Sequence, residues 1–69
     1  MIVKDLTDLM REHERLIVGY YISPEDFKLI YRGKRKNIPD DLLNKRVIEV
    51  FARRTEIYIL YDLKREDND

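Results

Sequence analysis

The apolar positions of this chain change period along its length, and the changes mark out its elements. Val3, Leu6, Leu9, Met10 and His13 form one stripe of a 3.6-residue repeat, with Lys4, Asp5, Asp8, Arg11 and Glu12 on the other side. The spacing predicts a helix over 3–13. Asp5 complements the positive end of its dipole, and Ile2, which cannot cap, predicts a frayed start. Residues 16–22 are rich in β-branched and aromatic residues and predict a strand. Ser23-Pro24-Glu25-Asp26 is a turn in which Pro presets φ, and a second strand follows over 27–32, ended by Gly33. Asn37-Ile38-Pro39-Asp40-Asp41-Leu42-Leu43 predicts one short helical turn, with Asn37 as cap and Pro39 in its first turn. Residues 47–53 and 56–63 predict two more strands around Arg53-Arg54-Thr55. The order α-β-β-(short α)-β-β predicts an α+β fold. Its N-terminal helix packs on one face of a four-stranded antiparallel sheet, in a single domain over 1–63 with an acidic frayed tail over 64–69.

One short helix covers one face of such a sheet and leaves the other open. Alternation assigns Leu16, Val18, Tyr20, Ile22, Phe27, Leu29, Tyr31, Ile48, Val50, Ala52, Ile57, Ile59 and Tyr61 to the covered core. The opposite face then carries Ile17, Tyr21, Ile30, Val47, Phe51, Tyr58 and Leu60. An apolar set of this size on a wet face predicts a contact surface for a protein partner, a second copy included.

Size strengthens that expectation. A chain of 69 residues buries only about 60% of the surface its unfolded form exposes, so an outside contact adds needed burial. There are no cysteines, which excludes a disulfide and a thiolate metal site and fits a reducing, cytoplasmic setting. No apolar run approaches the roughly 18–20 residues that span a bilayer, so no membrane role is expected. Met1-Ile2-Val3-Lys4-Asp5 reads as no secretion signal.

Charge changes the picture more than composition does. The formal total is zero, yet residues 1–27 carry −3, residues 28–54 carry +6 and residues 55–69 carry −3. The basic patch comprises Lys28, Arg32, Lys34, Arg35, Lys36, Arg53 and Arg54. With Tyr31 and Tyr58 nearby, it gives the alternative reading: a small nucleic-acid-binding domain, with cations on phosphates and tyrosines on bases. The neutral total and the pI near 6.6 weigh against it. The charged edge of a protein contact surface is the stronger expectation. A second copy would set its acidic segments against Lys34-Arg35-Lys36, in a homodimer that weakens with salt.

Candidate catalytic chemistry is sparse. His13 and Ser23 are each the single residue of their kind, and Gly19 and Gly33 are the two glycines. His13 is read as closing the helix, Ser23 as a turn residue, and Asp40-Asp41 as acids at a helix start. Neither a phosphate loop nor a zinc set is spelled out, so the expectation is a non-enzymatic protein with no catalytic residue, cofactor or metal.

Val3-Lys4-Asp5-Leu6, Ile30-Tyr31-Arg32-Gly33, Ile38-Pro39-Asp40-Asp41-Leu42-Leu43 with Val47, and Ile57-Tyr58-Ile59 run through most of the chain. On these residues it resembles a group of short proteins encoded by bacteriophages and mobile elements of Firmicutes. It departs from them at Ile2, where they often have a capping Thr, and at Arg53-Arg54, where their turn tends to be Asn or Asp. The resemblance implies no catalytic residue. It implies an accessory role: binding or inhibiting a host protein, defence nucleases and transcription machinery among them.

Overall fold

The computed structural model describes residues 1–62, and the expected tail over 64–69 lies outside them. Helix α1 (Val3–Thr7) leads into strands β1 (Arg15–Ser23) and β2 (Asp26–Lys34). A 3-10 turn (Arg35–Asn37) and helix α2 (Asp40–Leu43) follow, then strands β3 (Val47–Arg53) and β4 (Glu56–Tyr61). The fold is α+β, with two short helices on a four-stranded sheet.

The sheet is mixed, not antiparallel throughout. Its order is β2-β1-β4-β3, and the central pair β1–β4 runs parallel. The two sequence-local hairpins, β1–β2 and β3–β4, are antiparallel as their tight turns require. They meet side by side through their first and last strands. That makes β2 and β3, at opposite edges, run the same way. Parallel strands need a crossover of about a dozen residues. Residues 35–46, with the 3-10 turn and α2, supply it on one side of the sheet.

Helix α1 stops at Thr7, well short of residue 13. Beyond it the chain tightens, with Leu9 N–H donating to the Leu6 carbonyl and Met10 N–H to that of Thr7. The Arg35 Nε then donates to the Thr7 carbonyl at 2.8 Å, and its guanidinium lies 3.6 Å from Asp8. A cation at the negative end of the helix both satisfies a terminal carbonyl and complements the dipole. The acidic first segment thus meets the basic loop within one chain: Arg35 and Lys36 N–H groups also donate to the Glu14 and Glu12 carbonyls. Leu9 is left 85% exposed. His13 lies outside the helix and is exposed, 3.8 Å from Glu12.

The start of α1 is anchored instead of frayed. Val3 N–H donates to the Lys45 carbonyl and Val47 N–H to that of Met1, both at 2.9 Å. The Asp5 carboxylate accepts the Ile2 N–H at 3.0 Å, so the helix start is capped from inside. Asn37 belongs to the 3-10 turn, and Pro39 stands at the N-cap of α2 with no side-chain cap. Val3, Leu16, Val18, Leu42, Ile59 and Tyr61 form the core between helices and sheet.

Candidate functional site: the open face of the sheet

Two bulges decide which side chains reach the face that no helix covers. In β2, Tyr31 pairs with Val18 and Leu29 with Gly19, leaving Ile30 as the extra residue. In β3, Val47 pairs with Tyr61 and Glu49 with Leu60, leaving Ile48 extra. Cross-strand partners share a face, so each extra residue switches the side on which the following positions point. Phe27 and Leu29, expected in the core, therefore stand on the open face. Val47, expected on the open face, packs against the core. A further irregularity leaves Ile22 unpaired at the β1–β2 turn. Ile22 and Ile48 are both exposed and line a groove of about 560 Å³ with Lys28 and Tyr20. Val50, although on the helix side by its pairing with Ile59, is exposed.

Gly19 is what permits the β2 bulge. A side chain there would overlap the Lys28 carbonyl oxygen and reach within 3.1 Å of its carbon and 3.3 Å of Leu29 Cα. The β2 backbone passes too close for anything but glycine.

The open face has three zones. Its middle is aromatic. Phe51 stacks on Tyr58 with centroids 4.8 Å apart and planes 9° from parallel. Phe27 meets Tyr58 at 6.2 Å and 74°. Because Phe27 comes from β2 and Phe51 from β3, Tyr58 on β4 is flanked on both sides. Ile17 and Leu60 lie on the same face yet are 1% and 0% exposed. These two are core residues of the open side, not contact residues, and Leu60→Asp would unfold the protein before it tested a contact. Tyr21, Phe27 and Leu29 are accessible apolar groups of this face, at 38%, 38% and 44%, with Phe51 and Tyr58 half-buried, and Ile30 at the bulge is exposed as well.

One end of the face is basic. Glu56, only 15% exposed in its side chain, accepts from Arg32 Nε at 3.1 Å and Nη2 at 3.3 Å, with Arg15 Nε at 3.7 Å. Arg53 lies 5.8 Å from the Phe51 ring. Arg54, in the turn, holds a φ of 52°. The register places Lys34 beside Arg15 at this end. Arg15 belongs to the cluster but was not in the sequence-derived patch. Its signal was its place at the first residue of β1, legible once β4 is set alongside in parallel.

The rest of that patch disperses. Lys28, turned to the helix side by the bulge, lies six residues from Lys34 along β2, about 20 Å away at 3.3 Å per residue. Arg35 is engaged with Thr7 and Asp8, and Lys36 follows it in the 3-10 turn. Tyr31 is on the core side, its hydroxyl donating to the Lys34 carbonyl at 2.6 Å.

The other end is acidic. Glu49 accepts a hydrogen bond from the Tyr21 hydroxyl at 2.8 Å. The bond holds the phenol proton, and the nearby carboxylate charge adds to it, so the Tyr21 pKa is raised. Glu25 follows in the adjacent turn and Asp26 opens β2. Among the described residues no helix is long and apolar enough to cross a membrane, and no cluster of His, Cys, Asp or Glu is placed to hold a metal ion. No protein-family model, curated protein or solved structure matches this chain.

Proposed function

We propose that the protein is a non-enzymatic protein-binding module that works through the open face of its sheet. The observation that carries this reading is the zoned face: accessible Tyr21, Phe27 and Leu29 around a packed aromatic centre, with charge at both ends. An apolar centre within a charged rim is the anatomy of a protein contact. Both edge strands carry bulges, which blunt strand addition and leave the face as the surface on offer.

The same rings argue against nucleic acid. A base-stacking platform needs ring faces turned to solvent. Here Tyr58 is flanked by Phe51 and Phe27, while Arg32 is held by Glu56. The resemblance to short phage and mobile-element proteins points to a host protein as the target, bound as an accessory or inhibitory step.

The test is capture from a bacterial lysate by the wild type and by Leu29→Lys and Phe51→Asp, each first shown to be folded by circular dichroism. A specific protein retained by the wild type and lost by both variants is the expected result. Folded variants that retain it would sink the reading, as would salt-sensitive retention of a single-stranded oligonucleotide with no protein bound.

A further inference from the structure

Along β3 the open face carries opposite charges placed as a twofold axis requires. Glu49, Phe51 and Arg53 are alternate residues of β3, so all three point to the open side. Phe51 sits midway, with an anion about 6–7 Å to one side and a cation the same distance to the other. Phe51 is also the ring stacked on Tyr58. We propose that the open face pairs with the open face of a second copy, about a twofold axis that runs across the strands near Phe51.

Charge selects that axis. Two faces can meet through an axis in the plane between them, and its direction decides which ends oppose. An axis along the strands keeps each end over the same end and reverses the strand order, which sets Arg53 against Lys34. An axis across the strands reverses each strand over its counterpart, so Arg53 of each copy faces Glu49 of the other. That contact is made twice, as an isologous interface demands. The rings of Phe51 and Tyr58 meet their own images at the centre. Arg32, level with Phe51 in the register, comes near its own image on the axis, and Glu56 of each copy neutralises it there. Packed sheets hold their strands within about 30° of each other, which this arrangement allows.

This dimer rests on the reading of the open face as a protein-contact surface and names its first occupant. Four strands about 4.8 Å apart and six paired residues at about 3.3 Å each make a face of roughly 20 by 20 Å. Two such faces cover about 800 Å², below the size of standard specific interfaces. A contact of that size makes a weak dimer, which a hetero-partner of similar chemistry can displace.

Sedimentation of the full chain from about 1 μM to about 1 mM, at low and high salt, reads it out. The wild type is expected to dimerise with concentration and less so in high salt. Arg53→Glu and Glu49→Arg, both at exposed positions, are each expected to weaken the dimer about tenfold, since two pairs become repulsive at once. The doubly swapped chain is expected to regain it. Rescue cannot be internal, because the two residues lie about 13 Å apart on one strand.

A monomer at every concentration overturns the proposal, as does a dimer indifferent to both single swaps or one that the double swap fails to restore. A monomer whose Leu29→Lys variant still loses a captured protein overturns the dimer alone and leaves the protein-binding function standing. Failure of both removes the face as a contact surface.

Discussion

Gly19→Ala tests how the open face is built. The added Cβ meets backbone on β2: the Lys28 carbonyl oxygen in overlap, its carbon at 3.1 Å and Leu29 Cα at 3.3 Å. Backbone cannot rotate away as a side chain can, so β2 must lift off β1 at the bulge or slip its register. Overpacking of this kind costs about 1–3 kcal/mol, and a disturbed ladder hydrogen bond adds about 1 kcal/mol. A total near 2–4 kcal/mol is large for 69 residues, whose whole stability is expected at about 3–10 kcal/mol. The melting temperature should fall by about 10–30 °C. Gly33→Ala is the matched control. There a Cβ would meet the Tyr31 hydroxyl at 2.8 Å and ring carbon at 3.2 Å, a side chain free to turn. Its cost is the Tyr31–Lys34 hydrogen bond, about 1 kcal/mol. Thermal and urea unfolding followed by circular dichroism compare the two. If Gly19→Ala costs no more than Gly33→Ala, the β2 backbone yields cheaply and the close approach is not what fixes the bulge.

Arg35→Met should destabilise by about 1–2 kcal/mol in urea unfolding, because the Thr7 carbonyl loses its donor. Asp8→Asn should cost less than half of that, because its contacts to Arg35 at 3.6 Å and to Lys4 at 2.8 Å are both solvent-screened. Arg54→Gly should raise the melting temperature by a few degrees. A positive φ costs a side-chain-bearing residue about 1–2 kcal/mol, of which glycine's entropy takes back part; a lowered melting temperature would contradict this. Ultraviolet titration of the tyrosines should show the raised Tyr21 pKa return toward its ordinary value in Glu49→Gln. The sign follows from the folded pKa lying above the unfolded one. The stabilising contribution is whole below the ordinary tyrosine range and is lost as pH rises through the folded value. A Tyr21 titration unchanged in Glu49→Gln would show that the bond does not persist in solution.

Both hairpins were legible because their turns are local: Ser23-Pro24 and the short Arg54-Thr55 connection dictate antiparallel pairing. How the hairpins join was not, since β1 and β4 lie far apart in sequence and either direction satisfies their apolar content. The signal was the length of residues 35–46, sufficient for a parallel crossover and read only as a loop with a short helix. The two faces were legible as far as strict alternation holds, which it does for Leu16, Val18, Phe51 and Tyr58. It fails past Ile30 and Ile48. A bulge is fixed by the fit of two strands, so Phe27, Leu29 and Val47 could not be placed from one strand alone. Gly19 carried a hint: glycine within a strand marks a bulge or a close backbone approach. Helix α1 was overlong in prospect because Leu9 and Met10 continue the stripe, whereas Arg35, 28 positions downstream of Thr7, takes the carbonyl that ends it. Ile17 and Leu60 were placed on the correct face, but their near-complete burial there was not legible from alternation.

The measurement that bears most directly on the open face as the working surface is a set of amide and aromatic nuclear magnetic resonance spectra of the full chain at rising concentration. Shifts that move with concentration should gather at Tyr21, Phe27, Leu29, Glu49, Phe51, Arg53 and Tyr58, while Val3, Leu42 and the helices stay still. Concentration-dependent shifts confined to the helix layer, or the groove at Ile22 and Ile48, would contradict the account.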